Sequence, residues 1–336
     1  MATSHDRYTR VIRLIKTEEV MASYTKISKL EAQEIIDIYK FGEISKLTPL
    51  SLGISNSNYH IITNSGEYLL KISNDKNQIE LNDEQKILNF LKEANFPYSI
   101  AAYQLAENKY TYAYENYFGV LYPFVKGIPP APSDQTCYQI GKGLATLHNL
   151  EVPSDSSLRS TNEVTYTFKD VVNYLRDSKC PSEYRELFHK TFNQDDLTIL
   201  NEEFYQCLIH GDLYFDNVLF HNDDLEVFLD FEQSGIGSAI LDLGISISGT
   251  CIEKGMISVP LIQSYLMGYQ SVRVLPSKEE QFLTTAISFG LFSIGLWRIK
   301  RFTEGELNPL MKDSYLELLK MAKTFSQKVT IEWKNN

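Results

Sequence analysis

Cysteine is scarce in this chain of 336 residues. Its four thiols, Cys137, Cys180, Cys207 and Cys251, stand far apart and form no C-x-x-C pair. They are too few to staple a chain of this size and are expected to be reduced thiols of a cytoplasmic protein. Basic charge is also in deficit. Lys and Arg number 32 against 43 Asp and Glu, a net charge of −11, which argues against nucleic acid or an anionic membrane as a partner. Glycine (17) and proline (11) are too few for a low-complexity or collagenous chain. The longest nearly uncharged apolar run, Thr284 to Trp297, falls short of the ~20 residues of a membrane-spanning helix. Residues 1–20 carry Arg7, Arg10, Arg13 and Lys16 but also Asp6, Glu18 and Glu19, with no continuous apolar stretch, so no secretory signal is expected. A second start-like sequence, Met21-Ala22-Ser23-Tyr24, follows, and residues 1–20 are expected to be a dispensable extension.

What is present is ordinary globular material, 43% hydrophobic and 22% charged residues, in a length that suits about two domains at ~100–200 residues each. Two β-rich runs, Tyr59–Thr63 and Tyr68–Ile72, flank Asn64-Ser65-Gly66, turn chemistry that predicts a hairpin. A small-residue loop, Gly53 to Asn58, is expected ahead of them. Helical periodicity runs from Glu80 to Leu91, and Tyr117–Val125 reads as a buried strand. Lys126-Gly127-Ile128-Pro129-Pro130 is the best internal boundary. It separates an amino-terminal domain, 21–125, from a mainly helical domain, 126–330. Helices are expected at Ser133–Leu150, Phe168–Ser178, Ser182–Phe192, Leu197–Cys207, Ile240–Ser248, Pro260–Tyr269, Lys278–Lys300 and Met311–Gln327. A β island at Cys207–Phe231 interrupts them.

That island carries the chemistry. It reads Ile209-His210-Gly211-Asp212-Leu213-Tyr214-Phe215-Asp216-Asn217, then an apolar strand, the turn His221-Asn222-Asp223-Asp224, and Val227-Phe228-Leu229-Asp230. If Val218–Phe220 pairs antiparallel with Val227–Leu229, Asn217 stands opposite Asp230 at the open end of the hairpin. An amide oxygen and a carboxylate set there suit Mg²⁺, which takes hard oxygen ligands and keeps room for water and phosphate. Asp212, on the incoming loop, is placed beside such a metal as a base that accepts a hydroxyl proton. In the amino-terminal half, Lys71 is a single cation ending a largely apolar strand, as suits a lysine that pairs with phosphates. Glu84 shares the inward stripe of its helix with Ile87, Leu88 and Leu91 and is a candidate partner for it. Glu80, one turn earlier, is the rival for that role.

The spacing H-x-D-x-x-x-x-N, followed by an apolar strand and Asp, resembles the catalytic signature of the aminoglycoside phosphotransferase and choline kinase superfamily. Gly211 stands where protein kinases have Arg. The resemblance implies an α+β, bilobal protein-kinase-like fold, with a small β-rich N-lobe and a larger, mainly helical C-lobe. It implies Asp212 as catalytic base, Asn217 and Asp230 as Mg²⁺ ligands, His210 as a brace of the loop and Asp242 as its anchor. Lys71, Glu84, Ser57 and Asn58 would serve the nucleotide, ATP or GTP, and Tyr122, Pro123 and Val125 would form the hinge around its base. Ile140, Leu144, Leu147 and His148 match the long helix after the hinge and read as core packing.

Within the superfamily the likeness is strongest to the bacterial homoserine kinases of choline-kinase fold, through Met21–Tyr24, Gly53–Tyr59 and the segment after Asp230. The expected reaction is transfer of the γ-phosphate of ATP to a hydroxyl of a small, amine-bearing acceptor by a monomer or homodimer. Glu232, Trp297 and Arg298 are candidate acceptor contacts. Aminoglycosides, choline or ethanolamine, and methylthioribose are the alternative acceptors. A nucleotide-binding pseudokinase scaffold is the alternative of another class.

Overall fold

The computed structural model describes residues 25–50, 56–74, 76–107, 109–115, 117–161, 166–200, 204–305 and 309–328. The extension at 1–20 and the first half of the small-residue loop, Gly53 to Ser55, lie outside them. The chain divides into two compact units. One takes the chain up to Asn82 with Ala102–Phe124 and Lys300–Asp313, and the other takes Asp83–Ala101, Val125–Ile299 and the chain from Ser314.

The first unit is built on a five-stranded antiparallel sheet of β1 (Ile44–Leu50), β2 (Asn56–Thr63), β3 (Glu67–Ser73), β4 (Thr111–Tyr114) and β5 (Tyr117–Pro123), ordered β1-β2-β3-β5-β4. The hairpin β2–β3 closes where expected, with Thr63 N–H donating to the Gly66 carbonyl at 2.9 Å. Asn56–Asn58, expected in a loop, belong to β2 and pair with Ser73, Ile72 and Lys71. A helix that the sequence reading did not anticipate, α1 (Lys29–Tyr39), covers the sheet. Its buried residues Ala32, Ile35, Ile36 and Tyr39 fall at i, i+3, i+4 and i+7 and join a core of Tyr59, Ile61, Tyr68, Leu70, Ile72, Tyr112 and Leu121. Ser28 and Glu31 form a capping box at its start, and Lys40 ends it in the left-handed region at φ 59°.

Between the sheet strands in sequence lies α2 (Gln78–Glu93). Asn77 Oδ1 accepts from the N–H groups of Ile79 and Glu80, and Glu80 Oε2 accepts from Asn77 N–H at 2.9 Å. Glu80 therefore serves as the capping residue of the helix and is exposed, whereas Glu84 is buried.

The second unit is mainly helical: α3 (Asp134–His148), α4 (Phe168–Tyr174), α5 (Ser182–Thr191), α6 (Gln194–Leu200), α7 (Ala239–Thr250), α8 (Val259–Gln270), α9 (Ser277–Arg298) and α10 (Tyr315–Lys328). Three short antiparallel pairs are set among them: β6 (Gln206–Ile209) with β9 (Gly235–Ser238), the hairpin β7 (Val218–His221) with β8 (Asp224–Phe228), and β10 (Ile252–Glu253) with β11 (Met256–Ile257). The helix expected at Leu197–Cys207 is replaced by α6 and β6. Asn193 caps α6 through the N–H groups of Asp195 and Asp196, starting it earlier. Cys207-Leu208-Ile209 is a short buried apolar run, which periodicity cannot assign.

Backbones approach closely at the two principal helix pairs. A Cβ on Gly141 of α3 would lie 2.1 Å from the Tyr265 carbonyl of α8, and one on Gly268 of α8 would lie 1.9 Å from the Tyr138 carbonyl of α3. Gly244 of α7 stands in the same way against Ala286 of α9, at 2.4 Å. The helical stretch Ser277–Glu304 is long and apolar enough by length and composition to cross a membrane, longer than the uncharged run suggested, and most of its apolar window is buried inside the protein. The obstacle at Gly244 is backbone, so no rotamer change relieves it. Gly244→Ala is expected to destabilise the protein by about 1–3 kcal/mol, read as a lower urea midpoint at unchanged m-value.

Candidate active site

The loop His210-Gly211-Asp212 leaves the end of β6 and is pinned from behind by Asp242, near the start of α7. The Asp242 carboxylate is wholly buried. It accepts from His210 N–H at 2.9 Å, Gly211 N–H at 2.8 Å and His148 Nε2 at 2.9 Å. Burial alone would raise its carboxyl, but these donors and the nearby imidazoles outweigh it and hold it below the usual carboxylate range. His148 Nδ1 pairs with the Tyr269 hydroxyl at 2.8 Å, which accepts from Arg273 Nη1 at 3.2 Å. Arg273 in turn makes a two-pronged contact with Glu279, at 2.7 and 3.0 Å. His148, expected only to pack, is thus part of a polar chain reaching α8 and α9.

Gly211 has φ +81°, and a Cβ there would meet the Gln233 carbonyl at 2.5 Å, so a side chain is excluded by both strain and space. His210 is buried, and burial pushes its pKa down to about 4. The ring is therefore neutral. Its Nε2 donates to the Leu229 carbonyl at 2.9 Å while Nδ1 accepts from Asp212 N–H at 3.3 Å.

Asp212, the last residue of this run, is half-buried. Burial raises its carboxyl well above the usual range, and the charges of Asp216, Asp230 and Glu232 add to the effect. A 3-10 turn, Phe215–Asn217, brings the Asn217 amide back to it: Nδ2 donates to the Asp212 carbonyl at 2.8 Å and to its carboxylate at 3.3 Å. With Nδ2 engaged there, Oδ1 is the atom that Asn217 can offer to a cation.

The hairpin register differs from expectation by one residue. Val218 pairs with Phe228 and Leu219 with Val227, and a bulge then leads to Phe220 with Leu225. Leu229 N–H donates to the Asn217 carbonyl at 2.8 Å, so Asn217 stands opposite Leu229 rather than Asp230. The reason is the turn. Asn222 and Asp223 both take positive φ, 50° and 68°, closing a two-residue loop where a four-residue one was assumed. Asp230 follows in the left-handed region, φ 64°, rare for a residue with a side chain. Behind it, Arg159 donates to the carbonyls of Phe231, Glu232 and Ser234, a contact across more than seventy residues of sequence that no motif signals.

Three groups near the loop carry no family signature. Asp216 is solvent-facing, with its carboxyl raised by desolvation and lowered by Arg298. Tyr214 presents a buried hydroxyl close to Ser248. Arg298, at the end of α9, acts electrostatically on both and donates from Nη1 to the Ser314 carbonyl at 2.9 Å. Of the candidate acceptor contacts, Glu232 and Arg298 are therefore near the loop, and Trp297 is half-buried beside Arg298 on α9.

In the first unit, Lys71 is a buried residue of β3 paired with Asn58 and Val120. Its carbonyl accepts from the Tyr112 hydroxyl at 3.2 Å, and Gly119 leaves room for both, since a Cβ there would lie 2.2 Å from that carbonyl. Ser57 is wholly buried, its hydroxyl accepting from Thr25 N–H at 2.7 Å and donating to Asn74 at 3.1 Å. Tyr122 and Pro123 end β5, opposite Leu69 and Tyr68. Val125 opens the irregular segment that follows, in the second unit.

Residues 46–275 match the model of the phosphotransferase enzyme family. A homoserine kinase of Polaromonas naphthalenivorans is 26% identical over 306 residues, covering 84% of this chain and 90% of that protein. Two solved structures share the fold. An amicoumacin kinase in complex with AMP-PNP, Ca²⁺ and its ligand has a TM-score of 0.65 at 15% identity, covering 93% of this chain and 96% of that one. A microcompartment-associated aminopropanol kinase has a TM-score of 0.62 at 16% identity, covering 89% and 98%. The family match spans well over half the chain and contains the pinned His210-Gly211-Asp212 loop, Asn217, Asp230 and Asp242. This chain accordingly belongs to the phosphotransferase enzyme family, as a kinase-fold enzyme of ATP-dependent phosphoryl transfer with a homoserine-kinase-like sequence.

Proposed function

We propose that this protein transfers the γ-phosphoryl group of ATP to the hydroxyl of a small, amine-bearing acceptor of the homoserine type. The observation that carries the reading is the Asp212 carboxylate, set on a loop fixed at its back by Asp242 and held at its side by the Asn217 amide. In this reading Asp212 accepts the proton of the acceptor hydroxyl as its oxygen bonds to the γ-phosphorus and the bond to the ADP oxygen breaks. Lys71 pairs with the nucleotide phosphates. Ser57 and Asn58 line the nucleotide site through their backbone, and Tyr122, Pro123 and Val125 border its base.

Among the described residues no three His, Cys, Asp or Glu side chains converge as ligands on one point. The group of carboxylates that raises Asp212 nevertheless leaves an excess of negative charge. Asn217 Oδ1 and the Asp230 carboxylate suit a hard divalent cation that keeps water and phosphate as its other ligands. Mg²⁺ bound there would supply neutralisation of the phosphate charge. His210 braces the loop as a neutral ring, and Glu232 and Arg298 border the acceptor.

A coupled ADP-release assay with ATP and Mg²⁺, across homoserine, choline, ethanolamine, 3-aminopropan-1-ol, methylthioribose and several aminoglycosides, tests the reading. Saturable turnover is expected with a homoserine-type acceptor. Asp212→Ala is expected to lower kcat by about 10²–10⁴-fold with ATP affinity kept within a few-fold, and Asp230→Ala to lose the Mg²⁺-dependent part of nucleotide binding. Equal kcat for wild type and Asp212→Ala would remove Asp212 from the role of base.

The brace has its own pH signature. His210 is depressed to about 4 from an ordinary value of 6.5, so the unfolded chain takes up a proton before the folded one does. The stability from its neutral form is complete above pH ~6.5 and is lost as pH falls toward ~4, by about 1.4 kcal/mol per pH unit. Urea unfolding between pH 7.5 and 4.5 is expected to show this slope in the wild type and a shallower one in His210→Asn. Parallel slopes would contradict it.

A further inference from the structure

Asp230 takes a left-handed backbone, φ 64° and ψ 62°. In a residue with a side chain such a conformation persists only where the surroundings impose it. On its amino-terminal side the hold is plain. Leu229 N–H donates to the Asn217 carbonyl at 2.8 Å, and the Leu229 carbonyl accepts from His210 Nε2 at 2.9 Å. On its carboxy-terminal side the chain makes a single 3-10 turn, Phe231–Gln233. A turn this short leaves carbonyls without helical donors. Arg159 collects them: Nε donates to the Ser234 carbonyl at 2.8 Å, and Nη2 donates to those of Phe231, at 3.3 Å, and Glu232. The arginine is itself fixed. Its carbonyl accepts from Ile236 N–H at 2.9 Å, Ser160 forms a parallel bridge with Ile236, and a Cβ on Gly235 would come within 2.6 Å of the Arg159 carbonyl. Ser234, wholly buried, fastens the turn to β6 through its hydroxyl, which donates to the Ile209 carbonyl at 2.6 Å.

Gathering three carbonyls of one turn suits Arg, whose planar fork donates in several fixed directions, and not Lys, which donates from a point. We propose that Arg159 is a positioning residue for phosphoryl transfer: by clamping Phe231–Ser234 it holds Asp230 in the backbone conformation that presents its carboxylate to the divalent cation. This rests on Asp230 as a cation ligand and adds what keeps it in place. With Leu229 fixed, rotation about the N–Cα bond of Asp230 swings its Cβ, so release of the turn moves the carboxylate. Mg²⁺ tolerates little such movement, because it demands near-octahedral geometry at short distance. Groups behind a metal ligand commonly govern metal affinity in this way. A nucleotide bound without metal makes no such demand on Asp230, so the two affinities separate.

The test is Mn²⁺ binding to the full-length protein with saturating ADP, read from the electron paramagnetic resonance signal of the free ion, beside ADP binding without metal, read by calorimetry. Arg159→Gln is expected to weaken Mn²⁺ binding about 10–100-fold, with metal-free ADP affinity within about twofold of wild type. Its turnover is expected to fall at low Mg²⁺ and to recover largely as Mg²⁺ is raised. Arg159→Lys keeps the charge but not the fork, is expected to recover only part of the Mn²⁺ affinity, and serves where Arg159→Gln does not fold. Added to Asp230→Ala, Arg159→Gln is expected to weaken Mn²⁺ binding no further, because it acts through that carboxylate. Unchanged Mn²⁺ affinity in Arg159→Gln overturns the proposal. So does an equal loss of metal-free ADP affinity, the mark of a merely structural role, or complete recovery by Arg159→Lys, which assigns the effect to charge. An Asp230→Ala protein that keeps wild-type Mn²⁺ affinity overturns the metal assignment itself, and the clamp with it.

Discussion

The Asp242 carboxylate, buried and accepting from two consecutive backbone N–H groups and an imidazole, is the interaction on which the rest of the second unit depends. Two successive N–H groups can point at one carboxylate only if the chain turns sharply between them. Gly211 makes that turn at φ +81°, where a side chain would strike the Gln233 carbonyl. Hydrogen bonds to a charged group contribute about 1.5–3 kcal/mol each, more than the strain of such a turn. His148 extends the hold outward through Tyr269 to Arg273 and Glu279. The loop is thereby fixed by α3, α7, α8 and α9 together, and the close backbone contacts at Gly244 and Gly268 keep those helices at the required spacing.

Asp212 and Asp242 show how neighbouring carboxyls take opposite characters. Both are desolvated. Asp242 is surrounded by donors and lies below the ordinary range, whereas Asp212 has one amide donor and three carboxylates in reach and lies above it. This is the division by environment that separates a structural anion from a proton acceptor. The excess of negative charge around Asp212 is also what a divalent cation at Asn217 and Asp230 would neutralise. The two roles proposed here, a basic carboxylate and a metal site, would both draw on one short stretch of chain.

That stretch is short, and this is why its residues could be grouped as a candidate site from the sequence. His210, Gly211, Asp212, Asn217 and Asp230 fall within 21 residues, and their spacing alone suggested a hydroxyl base beside paired oxygen ligands. The helical periodicity of Glu84 with Ile87, Leu88 and Leu91, and the turn at Asn64-Ser65-Gly66, were equally local and readable. Register was not. Whether Asn222-Asp223 closes a tight turn depends on left-handed conformations that composition only permits, and that turn, together with the bulge after Leu219, sets Leu229 rather than Asp230 opposite Asn217. The role of His148 was hidden because an apolar helix face conceals a single polar member until its partners, 94 and 121 residues away, are seen. Arg159 escaped notice for the same reason.

The same contrast explains why the reaction is easier to read than the acceptor. Phosphoryl transfer needs positioning and charge around one point, and a contiguous loop and hairpin supply most of it. Discrimination among acceptors needs groups arranged around a whole molecule. Such groups need not be contiguous: Arg298, at the end of α9, acts electrostatically on Tyr214 and Asp216 beside the loop although it is far from them in sequence. A catalytic loop anchored from behind can therefore stay constant while helix ends around it change, so one fold can serve acceptors of different chemistry. Specificity in such an arrangement resides in the few side chains that helix termini carry to the loop, because only these can change without disturbing the anchored residues behind it.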